Sequence, residues 1–339
     1  MQAEISLEPD LTFAQIRRQL RVILMATELT KESLKGVWAG ITLSWDERYA
    51  LDEAAYRENL HRLVQARPHG IYVFGSTGEF HAVDDDEFRR VVDILVEEVA
   101  PSGIPTQAGC NDIATHLVIR KLKYAADAGV NGAQLVVPFW MKLTEEEILK
   151  FFDDISQAVP HLPLISYNIG RAKWYLYDEY RQIIGVAPNL IGIKWAGTPE
   201  LDLGRLEQTI PELPELAHFI GEGNLLKAMR FGVQGCYSAW VLAYPEPTIK
   251  MFNLAEQGKW AEAEAIHAQV TEVMGFIDEM AEEFGLSGMD PVWDKGAAIL
   301  SGFLAGHQRT RPPYIGWSDE AMAQMQARMR DRYPDYIFD

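Results

Sequence analysis

The stretch from residue 189 to residue 197 reads Asn-Leu-Ile-Gly-Ile-Lys-Trp-Ala-Gly. Its apolar run predicts a buried β-strand that ends at Lys194 and opens into a glycine-containing loop. A lysine held there faces apolar surroundings, and desolvation disfavours its charged form. Because a neutral amine can attack a ketone carbon, Lys194 is a candidate Schiff-base nucleophile. The alternative is an ordinary strand-end lysine whose ammonium reaches water.

The same kind of apolar segment recurs along the chain and alternates with longer helical segments. The strands are expected at Val37–Thr42, Gly70–Phe74, Pro105–Gly109, Gly132–Val137, Pro163–Tyr167, Leu190–Lys194, Ala217–Ile220 and Gln234–Ser238. Between them, helices are expected near 52–66, 84–99, 113–128, 144–159, 176–186, 199–208 and 224–231. Eight strand–helix units in about 220 residues predict an α/β protein with a closed (β/α)8 TIM barrel.

Further helices are expected outside this barrel. The spacing of apolar residues predicts an N-terminal helical extension over 1–35, the barrel over 36–257 and a C-terminal helical region over 258–339 that packs on the barrel. Met25 begins a segment typical of an N-terminus and is a second candidate start. The acidic run from Asp84 to Glu87 is expected to begin a helix rather than to bind a metal, and Thr144 with Glu147 forms a capping-box pattern.

Composition narrows the class of partner. The formal net charge is −18, which disfavours nucleic acid because phosphates would be repelled. An anionic substrate would need local hydrogen-bond donors. Only two cysteines occur, Cys110 and Cys236, so a disulfide framework or a four-cysteine zinc site is excluded and a reducing, cytoplasmic setting is expected. No apolar run approaches the ~20 residues that span a bilayer, so no membrane partner is expected.

Two other strand ends carry polar groups toward the rim where Lys194 is expected. Gly75-Ser76-Thr77-Gly78-Glu79 follows the second strand, and its tight turn can present backbone N–H groups and two hydroxyls to a carboxylate. Tyr167 ends the fifth strand, on the neighbour of the strand that carries Lys194, and can move a proton. Barrel enzymes collect their reactive groups at this rim.

Together these motifs resemble the pyruvate-dependent class I aldolases typified by dihydrodipicolinate synthase and N-acetylneuraminate lyase. The resemblance covers about residues 36–300 and rests on Gly75–Glu79, Tyr167-Asn168 and Gly192-Ile193-Lys194. It implies that Lys194 forms a Schiff base with a 2-oxo acid, so that neither a metal nor another cofactor is needed. It further implies a homo-oligomer, with a tetramer favoured.

The resemblance also implies roles for individual residues. Tyr167 would act as acid and base on the aldol hydroxyl, while Ser76 and Thr77 would hold the substrate carboxylate and relay a proton. The residues expected to bind the rest of the substrate lie at strand ends and in the following loops. They are Gly75, Gly78, Asn168, Trp140, Trp45, Gly221 and Tyr237.

Departures from the family pattern indicate a branch. The tyrosine expected after the fourth strand is replaced within Pro138-Phe139-Trp140-Met141-Lys142, and tryptophan cannot shuttle a proton as a phenol does. This stretch and Arg311-Pro312-Pro313-Tyr314 are similar to hydratase-aldolases that cleave aromatic benzylidenepyruvates. Four aromatic residues at predicted strand ends favour a flat apolar substrate: Trp45, Phe139, Trp140 and Trp195.

The predicted function is a lyase that releases pyruvate and an aldehyde from a 4-substituted 2-oxo acid, in aromatic catabolism. Two alternatives remain open. An aldolase or dehydratase of deoxy-keto sugar acids could share all three motifs. A barrel that binds a 2-oxo acid without turnover is the other, because the second tyrosine is absent.

Overall fold

The computed structural model describes residues 29–169, 177–195, 203–286 and 288–338. Within them, eight parallel strands form a closed barrel in which each strand pairs with the next and β8 pairs with β1. The predicted (β/α)8 TIM barrel is therefore confirmed. The strands are β1 Gly36–Gly40, β2 Gly70–Val73, β3 Thr106–Gly109, β4 Gly132–Leu135, β5 Leu164–Asn168, β6 Leu190–Trp195, β7 Ala217–Ile220 and β8 Gly235–Ser238.

Helices follow the strands and cover the barrel. They are α1 Glu53–Ala66, α2 Asp85–Val99, α3 Thr115–Ala128, α4 Glu145–Ala158, α5 Tyr177–Val186, α6 Leu203–Thr209, α7 Leu225–Met229, α8 Trp240–Ala243 and α9 Pro245–Glu256. The acidic run begins α2 with a capping box between Asp84 and Glu87, and Thr144 with Glu147 begins α4 in the same way. None of the described helices combines the length and apolar character needed to cross a membrane. The N-terminal helix, the Met25 start and the first part of the helix expected near 199–208 lie outside the described residues.

Large aromatic side chains fill the interior of the barrel. The Tyr237 ring centroid lies 6.0 Å from that of Trp38, 5.0 Å from that of Tyr72 and 5.1 Å from that of Phe219. Gly70 leaves room for this packing, because a Cβ there would lie 2.4 Å from the Trp38 ring. Aromatic side chains therefore fill the interior of the barrel, so a ligand can bind only at an end of the barrel.

Three helices follow the barrel: α10 Trp260–Glu283, α11 Val292–Ser301 and α12 Asp319–Arg332. They share a second apolar core with α8, to which Val270, Ile277, Leu300 and Met325 contribute. This packing brings α11 against the loop that follows β2.

A buried ion pair joins α11 to the barrel. The Glu79 carboxylate accepts hydrogen bonds from Lys295 Nζ, from Trp45 Nε1 at 2.9 Å and from the Arg311 backbone N–H at 3.0 Å. Glu79 and Lys295 are 0% and 1% exposed. Glu79 also has φ 50°, the left-handed conformation that turns the chain back toward the barrel. The last residue of the Gly75–Glu79 motif therefore anchors the C-terminal helices.

Replacing Lys295 with Met is expected to lower the free energy of unfolding by about 3–5 kcal/mol, because the buried Glu79 carboxylate loses its countercharge. The matched control is Lys35→Met, which breaks the Lys35–Glu256 pair between side chains that are 49% and 41% exposed. That change should cost less than about 1 kcal/mol. Chemical denaturation of both variants measures the difference, and equal losses would show that the buried pair is not an anchor.

Candidate active site

The pairing of β5 with β6 sets Tyr167 beside Lys194. The two residues are direct partners in the parallel register. Alternation along β6 then sends Lys194 inward while Trp195 points outward, where its Nε1 donates to His218 Nδ1 at 3.2 Å. The Lys194 Nζ lies 4.1 Å from the centre of the Tyr167 ring. The structure thus brings the predicted nucleophile and the predicted proton carrier together.

Two further phenols surround the amine. Lys194 Nζ lies 5.7 Å from the ring centre of Tyr72 and 5.3 Å from that of Tyr237. The Tyr237 hydroxyl donates to Gln107 Oε1 at 2.7 Å. The Tyr72 hydroxyl sits against Gly75, where a Cβ would lie 1.6 Å from it. Glycine is therefore needed at position 75, because any side chain there would displace the Tyr72 phenol.

The surroundings of Lys194 shift its pKa in both directions. Burial lowers the pKa, but the interactions with Tyr167, Tyr72, Asp290 and Tyr237 raise it more, so the net pKa is raised. Burial in turn raises the pKa of Tyr72 to about 12. The direction of the net pKa shift of Lys194 is opposite to the one expected from desolvation alone. An ammonium at Lys194 must lose a proton before it can act as a nucleophile.

A cavity of ≈ 620 Å³ opens above the amine at the carboxyl ends of the strands. Of the predicted site residues, the cavity is lined by Lys194, Tyr167, Ser76, Thr77, Gly221 and Tyr237. Gly75 and Gly78 lie just outside the lining. A Cβ at Gly78 would lie 2.6 Å from the Phe74 backbone nitrogen, so glycine is needed for the turn. Asn168 is buried at the end of β5 and does not line the cavity.

The tryptophans predicted to contact substrate lie elsewhere. Trp45 is 1% exposed and bound to Glu79, so its ring is part of the anchor of α11. Trp140 is 78% exposed on the loop after β4 and lies outside the cavity lining. Phe139 packs on Phe80 instead, with ring centroids 6.0 Å apart. The expected aromatic rim is thus corrected: of the tryptophans in the described ranges, those that line the cavity are Trp240 and Trp293.

Two carboxyl groups from the start of α11 occupy the side of the cavity where the hydroxyls of β2 lie. Ser76 Oγ donates to Asp290 Oδ2 at 2.9 Å, and Thr77 Oγ1 lies 2.5 Å from Asp294 Oδ2. Burial, followed by repulsion from Asp290, raises the pKa of Asp294 well above its ordinary value. The predicted carboxylate-binding hydroxyls are therefore engaged with protein carboxyls.

A third carboxyl group, Glu222, lies at the end of β7. Its Oε1 accepts from the backbone N–H groups of Ala239 and Trp240, each at 2.9 Å. Burial raises the pKa of Glu222. Lys194 is the one basic side chain lining the cavity in the described ranges. No cluster of three or more His, Cys, Asp or Glu side chains in those ranges is arranged to hold a metal ion.

Sequence reasoning missed Tyr72, Asp290 and Asp294. The sequence Gly70-Ile71-Tyr72-Val73 contained a signal for Tyr72. Side chains alternate along a strand, so Tyr72 faces the same side as Gly70, a small residue that suits the barrel interior. Asp294 lies in the first turn of α11, and Asp290 lies two residues before that helix begins. No local pattern shows that this helix start folds over the barrel mouth, because that placement depends on the distant Glu79–Lys295 pair.

Comparisons with known proteins identify the family of this chain. The family model described as the dihydrodipicolinate synthetase family matches residues 33–330. The chain is 29% identical over 286 residues to the 4-hydroxy-tetrahydrodipicolinate synthase of Methanospirillum hungatei, covering 83% of this chain and 91% of that protein. It is 33% identical over 228 residues to the enzyme of the same description from Halorhodospira halophila, covering 66% and 74%.

A solved structure shares the fold at lower identity. It is that of a prophage protein of the dihydrodipicolinic acid synthase family from E. coli K12, in complex with pyruvate. The TM-score is 0.78 at 19% identity, and the match covers 88% of this chain and 98% of that one.

Proposed function

The chain belongs to the dihydrodipicolinate synthetase family of lyases and aldolases, and from that premise we propose that it is a class I aldolase that cleaves a 4-substituted 2-oxo acid to pyruvate and an aldehyde. The observation that carries the proposal is the pairing of Lys194 with Tyr167 at the mouth of the barrel. The pyruvate complex of the E. coli relative, which has the same fold, supports a 2-oxo acid as ligand.

The first stage forms the imine. The Lys194 ammonium gives one proton to solvent, and Nζ attacks the C2 carbonyl carbon of the substrate. Tyr167 then donates its proton to the C2 hydroxyl, which leaves as water. The products of this stage are an iminium ion at C2 and a Tyr167 phenolate, and the two charges stabilise each other in the partly buried cavity.

The second stage breaks the carbon–carbon bond. The Tyr167 phenolate takes the proton of the C4 hydroxyl, the C3–C4 electron pair moves into the iminium, and an aldehyde leaves. The remaining enamine is protonated at C3 and hydrolysed to pyruvate, which regenerates Lys194. For a substrate with a conjugated double bond, water would first add at C4, giving a hydratase-aldolase.

The substrate's second half is proposed to be aromatic. Trp240 and Trp293 line the cavity and offer flat apolar surface. The competing candidate is a deoxy-keto sugar acid, which Glu222 and Asp290 favour because carboxylates accept hydrogen bonds from hydroxyl groups. A homotetramer, which the family resemblance implies, stays a prediction.

Borohydride reduction in the presence of pyruvate is expected to add the reduced pyruvate group to the peptide that contains Lys194. The Lys194→Arg variant should not be labelled and should not turn over, because a guanidinium cannot form the imine. Peptide mass mapping checks both results. Labelling elsewhere, or turnover by the variant, contradicts the mechanism. Labelled wild-type protein that exchanges no pyruvate methyl protons would instead identify a binding barrel without turnover.

The Tyr167→Phe variant should lose about 10²–10⁴-fold in kcat while borohydride still traps pyruvate on Lys194 at long incubation, because the missing proton carrier slows chemistry more than it weakens the imine. Tyr180→Phe is the matched control. The Tyr180 hydroxyl meets Ser166 Oγ at 3.0 Å on the outer side of β5, so its loss should leave kcat within a few-fold. If the two variants lost kcat equally, Tyr167 would not be the proton carrier of the reaction.

Substrate preference can be tested with benzylidenepyruvate and 2-keto-3-deoxygluconate. The aromatic compound is expected to be the better substrate, and Trp240→Ala should raise its KM about 3- to 10-fold by removing one aromatic contact. Trp140→Ala is the matched control, since that ring is 78% exposed and off the cavity. Preference for the sugar acid, with no effect of Trp240→Ala, would favour the competing candidate.

A further inference from the structure

Thr77 has a single hydroxyl proton, which either Asp294 or the carboxylate of a bound ligand could accept. A threonine hydroxyl donates one hydrogen bond and can accept others. The Thr77 Oγ1 lies 2.5 Å from Asp294 Oδ2. Beside it, the Ser76 hydroxyl is held by Asp290 in the same way. If Asp294 is ionised, its carboxylate takes the Thr77 proton, and none is left for a ligand.

This competition matters under the proposed function, in which Thr77 holds the carboxylate of a 2-oxo acid. An ionised Asp294 would occupy the donor that the substrate needs. A protonated Asp294 reverses the hydrogen bond, because the acid O–H then donates to Thr77 Oγ1. The Thr77 hydroxyl is thereby released to donate into the cavity.

The surroundings of Asp294 favour the acid form. Its side chain is 4% exposed, and the groups that act on it are Asp290 at the start of the same helix, Glu222 from the end of β7, Lys194 from β6 and Thr77. Burial raises the pKa of Asp294 most, and the charges of Asp290 and Glu222 raise it further. Thr77 and Lys194 oppose the shift but do not overcome it.

We propose that Asp294 is a positioning residue which, as a carboxylic acid, donates a hydrogen bond to Thr77 and directs the Thr77 hydroxyl toward the substrate carboxylate. The proposal rests on the proposed function and makes Asp294 a determinant of 2-oxo acid binding. In this arrangement the acid proton of Asp294, on α11, determines that the Thr77 hydroxyl of the Gly75–Glu79 motif donates its hydrogen bond into the cavity.

The consequence is a defined pH dependence of affinity. The competent form has a protonated Asp294, so pyruvate binding is strongest below the pKa of Asp294 in the folded protein. Binding weakens as pH rises through that raised pKa. Loss of protons from Lys194 works in the opposite direction, because it favours the imine, and the two effects must be separated.

The Asp294→Asn variant separates them. An asparagine N–H donates to Thr77 at every pH, so this variant retains the Lys194 effect and loses the Asp294 effect. The half-saturating pyruvate concentration for borohydride trapping is measured from about pH 5 to about pH 9 for wild type and variant. The wild-type to variant ratio should be close to one at low pH and rise up to about tenfold per pH unit above the pKa of Asp294.

Two more variants exclude a simpler cause. Asp290→Asn removes a negative charge beside Asp294 and should therefore lower the pKa of Asp294. When both proteins of the ratio carry Asp290→Asn, the ratio should begin to rise at a lower pH. Thr77→Val removes the hydroxyl, so the effect of Asp294→Asn on the pH profile should disappear. If Asp294 instead repelled the substrate carboxylate directly, that effect would persist in Thr77→Val.

These experiments distinguish failure of the role of Asp294 from failure of the proposed function. Absence of trapping on Lys194 at every pH would contradict the proposed function itself. Trapping with a ratio that stays constant across pH would overturn only the role of Asp294. Far-UV circular dichroism and thermal unfolding verify that each variant folds, so a flat profile is a result about Asp294 and not about misfolding.

Discussion

The parallel register between β5 and β6 is the constraint on which the site depends. It makes Tyr167 and Lys194 direct partners. A shift of either strand by one residue would send that strand's side chain to the outer face of the barrel and separate the pair. Barrel closure then adds Tyr72 from β2 and Tyr237 from β8, so that three phenol rings surround one amine. The barrel thus holds the proposed nucleophile 4.1 Å from the ring centre of the proposed proton carrier.

The C-terminal helices complete the cavity and set its charge. The buried Glu79–Lys295 pair fixes α11 beside the Gly75–Glu79 motif, and the same helix start delivers Asp290 and Asp294 to the two hydroxyls of that motif. Protein carboxyls thus stand where the family resemblance places a substrate carboxylate. A proton on Asp294 resolves this conflict, because it lowers the negative charge and frees a hydroxyl donor.

The fold and the reactive pair could be predicted because their signals are local. Strand ends such as Ile220 and Ser238 follow from apolar runs and glycines, and the order of strands places Tyr167 next to Lys194. The direction of the pKa shift of Lys194 could not be predicted, since it depends on Asp290 and on phenols brought in from other strands. The prediction that Trp45 and Trp140 contact substrate was wrong for a related reason. Both residues lie in loops near the mouth of the barrel, but the position of a loop does not fix where a ring points. Their contacts, with Glu79 and with solvent, are set by tertiary packing.

The most direct measurement of the central claim is a crystal structure of the protein soaked with pyruvate. We expect continuous electron density from Lys194 Nζ to C2 of the ligand, with the Tyr167 hydroxyl at hydrogen-bonding distance and the ligand carboxylate facing Thr77. Pyruvate bound without a covalent link, or bound away from the three phenols, would contradict it.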